Sequence, residues 1–251
     1  MRVDWTPVTE AVARLRSDGR RLTLWWRDDD AVRAGPELDR LAALSHDIGL
    51  PVGLAVIPSL AKDTLAEYLL HSPELIPLVH GWAHRDHAPA GAKKAEFGYP
   101  RAEGHAELSH GLDRARALFG DRLLPVFVPP WNRIDAGFEP MLPTLGYVAL
   151  STYGPRRPAS PGLQRLNTHV DPIDWRGTRS LVDPERLIRD TARAIDARRT
   201  CATDPDEPLG LLTHHLVHDA AIWDFSRALL TTLLECGAEP GDPRHLIGET
   251  T

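Results

Sequence analysis

Cysteine is nearly missing from this chain: Cys201 and Cys236 are the two present among 251 residues. They form no C-x-x-C pair, which removes thiolate zinc sites, and two are too few for a disulfide framework. Such sparse usage fits a reducing compartment. Long apolar runs are missing as well. None approaches the ~18 residues of a membrane span. There is no basic excess: 29 Lys and Arg stand against 35 Asp and Glu, for a formal net charge of -6. A nucleic-acid partner, which would select a basic face, is not expected, and neither is a membrane partner. The stretch from Met1 to Leu15 is broken by Thr9, Glu10 and Arg14 and holds no apolar core of a secretory signal. A cytoplasmic location is the expectation.

What is present is a repeating rhythm of helical segments and short apolar runs. Thr6-Pro7 opens a predicted helix through Arg16, and Leu22 to Trp26 is the first predicted strand. Leu38, Leu41, Ala42, Leu44 and Ile48 repeat with helical spacing until Gly49, and Pro51 to Ile57 follows as a buried strand. Further strands are predicted at 75–79, 125–128, 147–150, 166–170 and 209–213. Helices are predicted at 61–70, 107–119, 138–145, 184–198 and 221–235. A Gly-, Pro- and Lys-containing loop covers 88–103, and a turn-rich connector covers 155–161. Alternation of this kind predicts an α/β fold, a distorted (β/α) barrel of about seven parallel units formed as one domain over 1–251.

Polar clusters fall at the ends of these strands. Asp28-Asp29-Asp30 follows the first, His80-Gly81-Trp82-Ala83-His84 the third, and Pro129-Pro130-Trp131 the fourth. Asp171 to Trp175 and His214-His215 follow two later ones. The C-terminal ends of barrel strands share one face, where active sites lie. Adjacent carboxylates repel, and two imidazoles gain little from crowding them unless a cation is held between them. His80 and His84, four apart, can present both rings on one side of a turn, and an Asp completes a three-ligand site with open positions. The plain alternative is accident, since the chain has twelve His.

The ordered set resembles the metal-dependent polysaccharide deacetylases, carbohydrate esterase family 4. Trp25-Trp26-Arg27-Asp28-Asp29-Asp30 is similar to the family's apolar strand ending in Asp-Asp, and His80 to His84 to its H-(S/T)-x-x-H. Val128-Pro129-Pro130-Trp131 resembles R-x-P-x-(Y/W) without the arginine. Asp171-Pro172-Ile173-Asp174-Trp175 fits D-x-x-D-W, and Leu211-Leu212-Thr213-His214 fits L-x-x-H. The resemblance implies a catalytic base at Asp29 with metal ligands Asp30, His80 and His84. The other register makes Asp28 the base and Asp29 the ligand. The spare aspartate is then a loop or cap residue. His214 is implied as the general acid, with His215 its one-residue-slip rival, and Asp174 as the carboxylate that orients the acid. His218 and Asp219 are read as turn residues.

Two departures stand out. Gly81 replaces a hydroxyl residue, and Val128 stands at the position of the arginine that holds the base. Arg27 or Arg133 could supply that charge. Trp131, Pro130, Trp175 and Arg27 are the candidate substrate-binding residues. Trp82 reads better as packing. His87, His105 and His110 read as surface residues, and Arg198-Arg199 as a solvated helix end. The function implied is removal of an N- or O-acetyl group from a sugar or glycan by water activated on a divalent metal. Zinc heads the candidates by ligand type, with cobalt, nickel and iron also suited. The partner is an acetylated sugar or small molecule. The rival readings are hydrolysis of another non-peptide C–N bond, in a cyclic amide or formamide, and a catalytically degenerate carbohydrate binder.

Overall fold

In the computed structural model the described residues are 3–158 and 160–248. Met1, Arg2 and Ala159, which belong to the N-terminal stretch and the connector read above, lie outside them. The chain runs α1 (Thr6–Ser17), β1 (Thr23–Ala31), α2 (Pro36–Ile48), β2 (Val52–Val56), α3 (Asp63–Leu70), β3 (Leu75–His80) and α4 (Gly104–Phe119). It continues with β4 (Val126–Val128), α5 (Met141–Leu145), β5 (Ala149–Leu150), β6 (Gln164–Arg165), α6 (Pro184–Arg199) and β7 (Leu209–Thr213). Last come α7 (Ala220–Glu235), β8 (Glu239–Pro240) and α8 (Pro243–Leu246).

The strands lie side by side in the order β6-β5-β4-β3-β2-β1-β7, all parallel, with β8 beside β1. Seven parallel strands with alternating helices form a curled, barrel-like sheet. Residues 166–170, predicted as a strand, are extended and bind both rims of the curl. Leu166 and Thr168 donate to Leu150 and Thr152 carbonyls, while His169 and Val170 donate to the Gly210 carbonyl. Gly210 is needed there, because a Cβ would lie 2.6 Å from the Asn167 carbonyl and overlap the Trp25 ring.

The period-2 rule sorts the strand residues onto two faces. Trp25, Ala55, Ile76, Leu78, Val126, Val128 and Ala149 fill the inside of the curl. Trp26, Leu54, Val56, Leu75, Val79, Phe127 and Leu150 face the helices in the main core. The helices dock by matching stripes. In α1, Val8, Ala11, Val12 and Leu15 are all buried. Asp183 and Asp219 cap α6 and α7 by accepting from the Glu185 and Ile222 N–H groups. Gly49 ends α2 in the left-handed conformation, as predicted. Arg198 departs from its reading as a solvated helix end. It is buried, donating to the Glu207 and Pro208 carbonyls, because α6 ends against the chain entering β7.

β1 differs from its prediction in a way that shapes the site. It extends through the acidic triplet to Ala31. Asp28 pairs with Leu54 and Ala31 with Val56, so three steps on β1 face two on β2. That is a β-bulge with one extra residue, and Asp30 takes it up at φ 71°.

Candidate active site

The bulge decides which way each aspartate points. Arg27 and Asp29 follow Trp25 on the inner face. Asp28 follows Trp26 to the helix side. Asp30 would join Asp28 in a regular strand, but its left-handed backbone turns it into the cavity beside Asp29.

Asp30 meets two imidazoles there. Its Oδ1 lies 3.1 Å from His80 Nε2 and 3.3 Å from His84 Nε2. The ligand atoms of all three residues fall within 4.8 Å of one another. His80 Nδ1 sits 3.0 Å from the Val128 carbonyl and donates to it. That bond fixes the tautomer, so the neutral ring aims an Nε2 lone pair at a carboxylate oxygen. Two lone pairs facing each other repel unless a proton or a cation lies between them. Burial opposes a charge on His80, yet the neighbouring Asp29 and Asp30 charges raise its pKa above the ordinary value. Burial likewise opposes a charge on Asp30, but the His80 bond and the surrounding imidazoles hold its carboxyl well below the usual range. A part-buried, polarised Asp-His-His set of this geometry, with His80 buried and Asp30 and His84 open to the cavity, fits a divalent cation with open positions for water and substrate.

The set lies in a cavity of about 680 Å³, lined also by Asp29, Trp131, Asp171, Trp175 and His214. The Trp131 ring lies 4.3 Å from His84, and the Trp175 ring meets His214 edge-on at 4.7 Å. Left-handed backbone recurs around the cavity at Asp30, His84, Trp131 and Asn132. Strain of this kind persists only where its surroundings over-determine it, and it clusters at functional sites.

His214 and His215 part company as neighbours in an extended chain do. His214 enters the cavity, while His215 is buried behind β1 against Asp28, its Nδ1 2.5 Å from Asp28 Oδ1. Asp28 also accepts from the Thr213 hydroxyl at 2.6 Å and the His215 N–H at 3.0 Å. Burial opposes both charges, but each group stabilises the other: Asp28 is shifted down and His215 up. Asp28 and His215 thus form an ion pair that braces β1 against the segment after β7. Asp28→Asn should lower unfolding stability by about 3–5 kcal/mol, the usual cost of breaking a buried pair from one side. Urea denaturation checks this, and an unchanged midpoint would remove the bracing role.

No protein-family model and no curated protein matches the sequence. Solved structures do match. A family 4 carbohydrate esterase from Streptomyces lividans, in complex with acetate, is similar with TM-score 0.56 at 14% identity. The match covers 88% of this chain and 92% of that one. A polysaccharide deacetylase from Bacillus cereus gives 0.54 at 16%, covering 88% and 91%. The fold is that of the family 4 carbohydrate esterases. The same fold in a family 4 pseudoenzyme from Bacillus anthracis, TM-score 0.57 at 11% identity over 90% of this chain and 66% of that one, shows that activity depends on the residues grafted onto it.

Against the family 4 pattern, both departures have structural explanations. Arg27 stands where the charge of the missing arginine is needed. Its Nε and Nη2 donate to the two Asp29 oxygens at 2.8 and 3.0 Å, a bidentate pair. Ser151 Oγ accepts from Nη1 at 2.7 Å and Asn132 Oδ1 from Nη2 at 2.6 Å. The guanidinium is fully buried, so Arg27 holds Asp29 and is shut off from substrate, contrary to its candidate role as a substrate contact. Gly81 is forced by packing. At φ 58° a Cβ would overlap Glu96 Oε2 and lie 2.6 Å from Pro130. Glu96 takes over the loop, accepting from the Trp82, Ala83 and Arg85 N–H groups. Restoring the family hydroxyl by Gly81→Ser should cost about 1–3 kcal/mol through overpacking. Differential scanning calorimetry checks this; a stabilised variant would contradict it.

Pro130, a candidate substrate contact, is instead buried against Gly81. Asp174 is spent locally: its carboxylate accepts from the Gly177 and Thr178 N–H groups, stabilising a turn. Asp171, three residues earlier, lines the cavity with His214 and accepts from Trp175 Nε1–H at 2.8 Å. Burial raises its carboxyl above the ordinary value. His218 is more than a turn residue. Burial lowers it to about 4, and its Nε2 accepts the His214 backbone N–H at 3.1 Å. Glu96 was hidden in a predicted loop; its one signal was a carboxylate flanked by apolar Ala95 and Phe97.

Proposed function

We propose that the chain is a metal-dependent hydrolase that removes an acetyl group from a sugar. One observation carries the reading: Asp29, the Asp30-His80-His84 set and His214 line a single cavity. A divalent cation held by Asp30, His80 and His84, zinc first by ligand type, would supply Lewis-acid polarisation of the acetyl carbonyl and a more acidic water. Asp29, held by Arg27, accepts a proton from the attacking water as its oxygen bonds the carbonyl carbon. A backbone N–H near Trp131 is the candidate donor to the developing oxyanion. His214 gives a proton to the departing amine or alkoxide as the C–N or C–O bond breaks, leaving acetate. Asp171, which lines the cavity with His214 while Asp174 is held in its turn, is the candidate carboxylate beside the acid. Trp131 and Trp175 offer faces for a sugar ring.

The degenerate-binder reading rested on the missing arginine, and Arg27 supplies that charge. The free Cys201 and Cys236 keep a cytoplasmic setting within the proposal. Purified protein assayed for acetate release from acetylated amino sugars, and for opening of cyclic amides, with its metal content measured in parallel, tests the assignment. Bound metal with cyclic-amide or formamide turnover alone would move the reading to that chemistry. Bound metal with no hydrolysis at all would leave only binding.

A further inference from the structure

The mouth of the cavity carries four cations, Lys94, Arg133, Arg176 and Arg179. They come from separate loops, one following β3, one following β4 and one preceding α6. Among the described residues none of the four makes a salt bridge, and only Lys94 feels a nearby carboxylate, that of Asp86, in a chain where acids outnumber bases 35 to 29. Elsewhere arginines find acids readily, as Arg14 does Asp196 and Arg156 does Asp204. The carboxylates inside the cavity do not neutralise the four. Asp29 is taken by Arg27, Asp30 by the histidines, and Asp171 by N–H donors.

Two of the cations are also placed. Arg133 donates Nη1–H to the Lys94 carbonyl at 2.6 Å, tying the two loops together. Arg179 has a left-handed backbone at φ 58°, and its guanidinium stands 5.9 Å over the Trp175 ring, beside His214. Arg133, with Asn132 and Tyr153, also lines a second cavity of about 430 Å³, so space continues past the acetyl-cleaving centre. Unpaired cations at the mouth of a cleft attract and orient anions, and a guanidinium fork matches phosphate or carboxylate oxygens.

We infer that the substrate is an anionic acylated sugar. Its acetyl group sits at Asp29 and His214, and its phosphate or carboxylate sits on the ring of Lys94, Arg133, Arg176 and Arg179. This rests on the proposed deacetylation for the acetyl end alone, and the anion site can be tested without turnover.

The experiment uses the full-length, metal-loaded protein. Glucose 1-phosphate, glucuronic acid and neutral methyl glucoside, none of which can turn over, are titrated by calorimetry, and acetate release is followed from N-acetylglucosamine 1-phosphate, N-acetylmuramic acid and methyl N-acetylglucosaminide. We expect a charged sugar to bind at least about tenfold more tightly than the neutral glycoside, with the gap narrowing as salt rises. In Arg176→Gln/Arg179→Gln the ratio of charged to neutral affinity should fall toward one, with metal content and circular dichroism as folding controls. Preference for the phosphate alone, or the carboxylate alone, supports the inference and names the anion. Equal affinity for charged and neutral sugars, no binding of any, or a preference that survives in the variant overturns it. Absence of acetate release alongside charge-selective binding would sink deacetylation and leave the anion site standing. Release that ignores charge would do the reverse.

Discussion

His80→Ala/His84→Ala will lose bound metal and hydrolytic activity together. Each imidazole gives one of three ligand atoms that crowd within 4.8 Å, and Asp30 alone cannot retain a cation against water. Loss of Lewis-acid assistance removes several kcal/mol of transition-state stabilisation, so the rate should fall by about 10³-fold or more. The fold should survive. The His80 ring sits at a strand end and the His84 ring is part-exposed, so neither carries the hydrophobic core. Asp29→Asn is the companion experiment. It removes a proton acceptor that is not a ligand, so activity should drop about 10²–10⁴-fold with metal content kept. Elemental analysis beside an acetate-release assay separates the two. Full metal occupancy in the double histidine variant would end the metal assignment, and metal loss in Asp29→Asn would exchange the two aspartates' roles.

The barrel was legible because its strands are buried on both faces. Runs such as Leu75 to Val79 and Leu209 to Thr213 stand out as apolar between polar helices, and a parallel sheet requires such runs. His80 and His84 were legible for a different reason: H-x-x-x-H carries its own geometry. The register of the aspartates was not. Strict alternation gives Asp28 and Asp30 one face and Asp29 the other, and only the extra residue between Asp28 and Ala31 puts Asp29 and Asp30 on the same cavity. Nothing local announces that bulge. It is set by where β2 pairs, a tertiary fact. The choice between His214 and His215 hung on the same unknown, since His215 is held by the aspartate that faces away. Asp174 misled because D-x-x-D-W offers two carboxylates. The one that reaches the cavity is decided by a turn in which Gly177 and Thr178 N–H groups capture the other.

Arg27→Met should be the second most damaging single change outside the metal ligands. The guanidinium is fully buried and satisfies Asp29, Ser151 and Asn132 at once. Taking it away leaves a buried carboxylate unpaired, at a cost of about 3–5 kcal/mol in stability. The functional loss should exceed what unfolding explains. Arg27 is a positioning residue: its fork sets the plane of both Asp29 oxygens, and a small misplacement of a reacting group can cost about 10²-fold. The expected pattern is a drop in kcat with KM nearly unchanged. Arg27→Lys should recover part of the stability and little of the rate, because an ammonium matches the charge and not the two-pronged geometry. A merely structural arginine predicts the opposite, with rate returning in step with stability. The cycle with Asp29→Asn gives a further check. With no carboxylate charge left to hold, the added stability cost of Arg27→Met should shrink by about 1–3 kcal/mol. Additive costs in the double variant would mean that Arg27 supports the barrel wall and leaves the base to orient itself.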